Sequence, residues 1–320
     1  MDINKKDKKI LLALDMDARK SDSRIAKEVG LSAQVTNYRI KQLQKKGIIK
    51  SYYPVIDHTK LGLKLYRIGI KLENATKQKE KEILDYLMLH SSWIVSALGQ
   101  WNILMATYVA DEFEFMRFWR AFFQKYGYYV KDQWISLMTK FWNFERSFLL
   151  PESMNRKRVI IIGKDANVTN RIDGIDKKIL KELTQNARQT SLDIAKKIGQ
   201  TERIVRYRIS GLEKEKIVLG YRTFLNTALL NLKYYKLFIQ LKNSRNEDVE
   251  QIRTFINQNP NVIYNTEALG GYDFELEVQF SDSRELFNFI NHIREKFPLF
   301  IKDVHHLEYI DEYKITYFPV

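Results

Sequence analysis

Cysteine is absent from the 320 residues, which excludes disulfides, thiolate metal sites and cysteine nucleophiles. Long apolar runs are missing as well. Local ones such as Val159-Ile-Ile-Ile162 fall far short of the roughly 20 residues a bilayer-spanning helix needs, so no membrane partner is expected. The opening, Met1-Asp-Ile-Asn-Lys-Lys-Asp, carries no apolar core of the kind a secretory signal requires, and the expected location is the cytoplasm. Paired catalytic carboxylates, a nucleophile motif, a phosphate loop and metal-ligand spacing are not found either, so no catalytic residue, metal or cofactor is expected. With 45% hydrophobic and 13% aromatic residues, the chain should nevertheless fold along most of its length.

What is present is a repeat. Asp7-Lys-Lys-Ile-Leu through Gly30 returns 169 residues later as Asp176-Lys-Lys-Ile-Leu through Gly199, without a gap. Ile10/Ile179, Leu11/Leu180, Leu14/Leu183, Ala18/Ala187, Arg19/Arg188, Ile25/Ile194 and Ala26/Ala195 coincide, and the match continues through Tyr38/Tyr207, Ile48/Ile217 and Tyr52/Tyr221. A duplicated unit of this length is a domain pair, because solenoid periods run roughly 20 to 50 residues.

Charge follows the repeat. The net balance is +7 over residues 1–60, +3 over 61–150, +8 over 151–222 and −4 over 223–320, within a total of +14. A surplus serving solubility alone would be spread evenly. Two basic modules alternating with two non-basic ones point to a polyanion, and double-stranded DNA is the expected partner.

Within each basic module, apolar positions recur at helical spacing in three short segments. Ile10, Leu11 and Leu14 lie on the first, and Ile25, Ala26 and Val29 on the second, which starts near Ser21/Asp22 and stops at Gly30. The third starts at Ser32 and sets Thr36, Ile40 and Leu43 inward before Gly47; its counterpart starts at Thr201 with Val205, Ile209 and Leu212 inward. A turn of two residues between the second and third helices makes a helix-turn-helix unit. The runs after it, from Ile48 to Tyr53 and from Ile217 to Arg222, suit a small hairpin or wing.

The third helix is the one a major groove would admit, with its first residues at the base edges. Its outward face should carry Gln34, Val35, Asn37, Tyr38 and Lys41, matched in the second copy by Arg203, Ile204, Arg206, Tyr207 and Ser210. Gln and Asn suit adenine, Arg suits guanine, and Val or Ile can touch a thymine methyl. Arg39, Arg208, Lys45, Lys46 and Lys214 are expected at phosphates, where they add salt-dependent affinity without reading sequence.

Both copies resemble the winged helix-turn-helix of the Lrp/AsnC family, named for the leucine-responsive regulatory protein and the asparagine regulator. That pattern falls here on Asp7, Ile10, Leu11, Ala18, Arg19, Ile25, Ala26, Val29, Gly30, Leu31, Ser32, Arg39, Ile40, Leu43, Gly47, Ile48, Ile49 and Tyr52. The second copy departs at Gln200, where the family prefers Leu, and at Lys216, where it prefers Gly.

Residues 63–148 and 232–319 each read as strand, helix, strand, strand, helix, strand, the ferredoxin-like order. They resemble the effector and oligomerisation domain of the same family. The expected fold class is α+β: winged helix-turn-helix domains at 1–57 and 173–226, ferredoxin-like βαββαβ domains at 58–150 and 227–320, and a linker over 151–172. The resemblance implies a small effector, such as an amino acid, at a Gly-x-x-Asp turn. The second copy keeps that turn as Gly270, Gly271, Tyr272 and Asp273, whereas the first has Gly99, Gln100, Trp101 and Asn102. A tight hairpin alone would want Gly and Asp at these places. All five Trp lie in the first copy, at 93, 101, 119, 134 and 142. Phe115, Phe118/Trp119 and Phe122 form a stripe there, which leaves Phe113 and Phe123 for a further protein interface.

Ordinary family members carry one copy per subunit and pair as dimers. A chain with two copies is expected to be a covalent pseudo-dimer that regulates transcription by reading an asymmetric operator, with further homo-oligomerisation left open. The alternative is an enzyme. Relatives with the same plan are siroheme decarboxylases of haem biosynthesis, which rely on histidines and basic residues around a tetrapyrrole. The five histidines here are His58, His90, His292, His305 and His306; only the last two are adjacent, and on a strand they would point to opposite faces. A third reading makes the second copy structural.

Overall fold

The fold is taken from a computed structural model, which describes residues 3–151, 158–164, 172–242, 245–316 and 318. The first half runs α1 (Lys5–Met16), α2 (Asp22–Val29), α3 (Ala33–Lys45), β1 (Ile49–Ile56), β2 (Lys64–Leu72), α4 (Lys77–His90), β3 (Trp93–Gly99), β4 (Ile103–Val109), α5 (Glu112–Tyr126) and β5 (Val130–Phe144). After β6 (Val159–Ile162), the second half runs α6 (Gly174–Gln185), α7 (Ser191–Ile198), α8 (Glu202–Lys214), β7 (Val218–Leu225), β8 (Lys233–Leu241), α9 (Asn246–Gln258), β9 (Val262–Leu269), β10 (Phe274–Phe280), α10 (Ser283–Lys296) and β11 (Ile301–Ile315). Of the expected linker, residues 152–157 and 165–171 lie outside the described residues, and the described part carries β6. Its alternate residues Ile160 and Ile162 are buried while Val159 is exposed, as suits a strand laid along one side of β5.

Local chemistry sets the helix ends. Asn4, Ser21 and Ser32 accept backbone N–H bonds at the starts of α1, α2 and α3; Asp173, Thr190 and Thr201 do so for α6, α7 and α8. Where α3 gives way to β1, the chain turns through a left-handed residue, Gly47 at φ 72°; at the matching place after α8 stands Lys216 at φ 58°. The departure from the family pattern is therefore a side chain held where glycine is favoured.

The expected wings are not hairpins within each copy. β1 pairs antiparallel with β7, so each copy supplies the other's second strand. The reason is apolar burial on both sides of these runs: Ile49, Tyr52, Tyr53, Val55 and Ile56 are all buried, which a solvent-exposed wing would not require. The exchange extends to the helices. Ala18 N–H donates to Tyr221 O and Ala187 N–H to Tyr52 O, both at 2.9 Å, while Asp57 N–H donates to Ile217 O at 2.9 Å and Asn226 N–H to Ile48 O at 2.8 Å. One continuous apolar cluster joins α1–α3, α6–α8, β1 and β7.

Below this layer, each ferredoxin-like unit has its strands in the order β5-β2-β4-β3 and β11-β8-β10-β9. The long strands β5 and β11 begin in their own unit and end in the other: β5 pairs with β2 and then β9, and β11 with β8 and then β3. Eight strands thus close into a ring, with β6 added alongside β5. α4 and α5 cover one half and α9 and α10 the other, while the interior holds Trp101, Trp134, Phe238, Tyr272 and Leu307. Most of the tryptophan content is therefore core. Phe123, expected on a free face, packs on Trp119 at 5.3 Å between ring centres, and Phe113 stays exposed.

A buried ion cluster bonds the two layers together. Asp15 on α1 accepts from Arg222 Nη2 on β7 at 2.8 and 2.7 Å, from Arg146 N at 2.9 Å and from the Arg146 guanidinium just past β5. Arg222 also donates to Phe144 O at 2.8 Å and Arg146 to Thr223 O at 3.1 Å. Burial alone would raise the Asp15 carboxyl, but Arg146 and Arg222 outweigh it and leave it below the ordinary carboxylate value.

Two stability predictions follow from these features. Asp15→Asn strips the counter-charge from two buried guanidinium groups and should cost about 3 to 5 kcal/mol in urea denaturation. Because the folded carboxyl is the lower one, its contribution is complete above about pH 4 and is lost as pH falls through the folded value, so the wild type should lose this increment in acid and the variant should not. Lys216→Gly relieves the left-handed side chain and should raise stability by about 1 kcal/mol, whereas Gly47→Ala should lower it by a similar amount; thermal unfolding reads both.

Candidate nucleic-acid interface

Of the residues expected on the outward faces of α3 and α8, all but Asn37 are exposed. Gln34, Val35, Tyr38 and Lys41 are exposed on α3, and Arg203, Ile204, Arg206, Tyr207 and Ser210 on α8. Large apolar side chains seldom stand out of an ordinary amphipathic helix. Here Tyr38 and Tyr207, at matching positions, are 62% and 78% exposed, and Val35 and Ile204 are 41% and 38% exposed. Lys45, Lys46 and Lys214 are exposed at the far ends.

Several expected contact residues have other work within the fold. Ser32 Oγ accepts from Val35 N at 3.2 Å and Thr201 Oγ1 from Ile204 N at 3.3 Å, fixing the helix starts. Arg39 pairs with Asp7 at 2.9 Å; Arg208 pairs with Asp173 at 2.9 Å and Asp176 at 3.2 Å. The shared Asp of each copy's first helix thus holds the shared Arg of its third, and neither guanidinium is a loose phosphate ligand. Asn37 is half-buried and donates to Asp22 at 2.6 Å, while Arg206 pairs with Glu202 one turn earlier on the exposed face of α8.

Sequence reasoning noted Arg19 and Arg188 as repeated positions, and Arg19 as part of the family pattern, without a role; here they join the two helix-turn-helix units. Arg19 Nη1 donates to Ala187 O at 2.6 Å and Gln189 O at 3.2 Å, with its guanidinium 5.2 Å from the centre of the Tyr221 ring. Arg188 Nη1 donates to Ala18 O at 2.7 Å and Lys20 O at 3.2 Å, its Nη2 reaches Asp22 at 2.7 Å, and it lies 5.4 Å from the Tyr52 ring centre. The signal available in the sequence was the exact matching of both Arg and both Tyr across the repeat. Asp22 links this latch to Asn37 on α3.

The Gly-x-x-Asp turns serve the ring of strands. Asp273 Oδ2 accepts from Leu241 N at 2.7 Å, and at the matching place Asn102 Oδ1 accepts from Leu72 N at 2.8 Å, so the amide replaces the carboxylate in the same bond. Gly99, Gly270 and Gly271 all have positive φ, and a Cβ on Gly271 would meet Trp134 Nε1 at 2.1 Å. Tyr272 Oη donates to Gln100 Oε1 at 3.3 Å, bringing the two turns together beside the buried Trp101.

Between the reader layer and the strand ring lies a chamber of about 430 Å3, roofed by β1 and β7. His58 is the one of the five histidines that lines it. Its ring is 2% exposed, lies 5.1 Å from the Tyr108 ring centre, and has no hydrogen-bond partner at either nitrogen. Burial pushes this imidazole down to about 4 and the Tyr108 hydroxyl up to about 12. Among the described residues, no three His, Asp or Glu side chains converge as metal ligands would, and no helix is long and apolar enough to cross a membrane.

Known proteins resemble the chain in two ways. A winged helix-turn-helix DNA-binding model matches residues 3–50, and an AsnC-type helix-turn-helix domain matches residues 172–213. The proline dehydrogenase transcriptional activator of Rhodobacter capsulatus is 31% identical over 119 residues, covering 37% of this chain and 77% of the activator. The HTH-type transcriptional regulator LrpA of Pyrococcus horikoshii is 40% identical over 96 residues, covering 28% and 68%. In fold, the chain is similar over 98% of its length to the siroheme decarboxylase NirDL solved with an iron-uroporphyrin III analogue, covering 93% of that chain with a TM-score of 0.64 at 16% identity.

The neutral, buried His58 predicts a second acid-sensitive step. A folded imidazole below its unfolded value binds fewer protons than the unfolded one, so stability should be complete above about pH 6.5 and decline as pH falls from there toward 4. Urea midpoints measured between pH 7 and 5 should fall for the wild type and stay flatter for His58→Phe.

Proposed function

Because the chain belongs to the Lrp/AsnC family of DNA-binding transcriptional regulators, we propose that it acts as a covalent pseudo-dimer whose two unlike recognition helices read the two halves of one asymmetric operator. The reciprocal Arg19 and Arg188 latch carries this reading, since it ties the two helix-turn-helix units that bear α3 and α8 into one body, able to meet the duplex as a unit. Gln34, Val35 and Tyr38 of the first reader and Arg203, Ile204 and Tyr207 of the second are the base-edge candidates, with Asn37 and Arg206 beside them once released from their internal partners. Lys41, Lys45, Lys46 and Lys214 supply phosphate contacts. The matching exposure of Tyr38 and Tyr207 favours two readers over a merely structural second copy. Arg39 and Arg208 are assigned a positioning role.

The enzyme alternative has less support. Its fold likeness is at 16% identity, and the chamber's arginines already have buried counter-charges: Arg67 donates to Glu275, and Arg146 to Asp15. A substrate with several carboxylates would find few uncommitted cations there. An effector at the Gly-x-x-Asp turns is likewise weakened by the use of Asp273 and Asn102 in the fold.

Alanine at Arg203 or at Gln34 should each cost on the order of 1 to 3 kcal/mol on a bound operator and relax base preference in its own half only. Lys45→Ala or Lys214→Ala should weaken binding to all sequences and lower the salt slope by about 1. Competition binding over a salt series measures both. Unchanged affinity in the Arg203 variant would contradict reading by the second copy.

A further inference from the structure

The chamber under β1 and β7 has the marks of a ligand site, and its chemistry is unlike that of an amino-acid pocket. Eight Phe, Tyr and Trp rings line it from both copies, among them Tyr53, Tyr108, Phe224, Tyr234 and Tyr264. Its volume, about 430 Å3, lies in the range of small-molecule sites, which are mostly apolar with a few convergent polar groups. Most of its charged groups have partners of their own, Lys50 over the Phe224 ring and Glu312 accepting from Trp93 among them. Arg67 and Lys236 meet Glu275, Arg146 meets Asp15, Glu277 accepts from Tyr234, and Lys233 pairs with Glu308 at 3.2 Å.

Four residues of this wall carry buried polar atoms without a partner: both ring nitrogens of His58, the hydroxyl of Tyr309, Oε1 of Gln279 and Nε of Arg146, whose Nη1 is held by Asp15 and Thr223. Such groups normally find hydrogen bonds, because leaving them bare is costly. A neutral imidazole offers one donor and one acceptor. The complementary guest is uncharged, flat and aromatic, with a hydrogen-bonding edge. The roof is also the reader support: Tyr53 on β1 bonds to Tyr264 on β9 at 3.3 Å, and the neighbouring Tyr52 and Tyr221 stack on the latch arginines.

We propose that this chamber binds an uncharged planar aromatic effector, held through His58, Tyr309 and Gln279, whose occupancy alters DNA affinity by shifting β1 against β7. The regulatory half of this statement rests on the DNA-binding reading above; the site itself does not.

The test uses the full chain and Prodan, a neutral naphthalene ketone whose emission shifts to the blue in apolar surroundings. Without DNA, Prodan should bind saturably at one per chain. Ala106→Phe, which fills the chamber, should weaken binding at least twentyfold, and His58→Phe, which keeps the ring but removes its nitrogens, at least fivefold. Melting curves followed by circular dichroism identify variants that remain folded; if Ala106→Phe does not fold, His58→Phe carries the comparison. Saturating Prodan should change the affinity for a mixed-sequence DNA duplex at least fivefold, with the reciprocal change in Prodan affinity that linkage demands. No saturable binding, binding that survives the substitutions, or tighter binding of the tetracarboxylate coproporphyrin III would overturn the site. Prodan binding with unchanged DNA affinity would overturn the regulatory role, and a chain that binds Prodan yet never binds DNA would sustain the site while removing the DNA-binding reading.

Discussion

The antiparallel pairing of β1 with β7 is the constraint from which the rest of the molecule follows. Each strand leads out of one copy's recognition helix and completes the other copy's reader, so neither helix-turn-helix unit can bury its apolar face alone. The latch arginines reinforce the same exchange with backbone bonds in both directions. Below, β5 and β11 repeat the exchange by starting in one ferredoxin-like unit and finishing in the other. A regulator built this way has no independent halves. On the proposed reading, the two recognition helices are held together by pairing within one chain, without dependence on protein concentration.

The repeat is closely followed but not symmetric, and the differences concentrate where the layers meet. Asp15, Arg146 and Arg222 have Thr184, Tyr317 and Tyr53 at the matching sequence positions, none of them charged, so the buried ion cluster has no counterpart in the second copy. Gly69, whose missing side chain lets Trp101 approach, corresponds to Phe238, and the ring interior is filled by Trp on one side and by Phe and Tyr on the other. Duplication relieves each copy of the need to complement itself. The two recognition helices have diverged under the same freedom, toward Gln34 and Asn37 in one and Arg203 and Arg206 in the other.

Much of this was legible in the sequence because it is written in local chemistry. The three-helix pattern, the capping residues Ser32 and Thr201, the element order of each ferredoxin-like unit and, Asn37 apart, the exposed face of α3 and α8 all follow from apolar spacing and turn residues. The anomaly at Lys216 was legible too, and its cause is a left-handed backbone. What the sequence could not reveal was pairing between the copies. An isolated run such as Ile48 to Tyr53 suits a strand equally well whether its partner lies nearby or 169 residues away. For the same reason Arg39 was expected at phosphate: a cation on an exposed helix looks free until the Asp that holds it is placed beside it. His58 gave no motif at all, since its significance lies in the absence of partners within a chamber that only the closed fold creates.

The most direct measurement is selection of bound duplexes from a random DNA pool at moderate salt. The account predicts one enriched motif with two unlike halves at a fixed separation, because unlike readers are locked together by the latch. A palindromic motif, or binding without any enrichment, would contradict it.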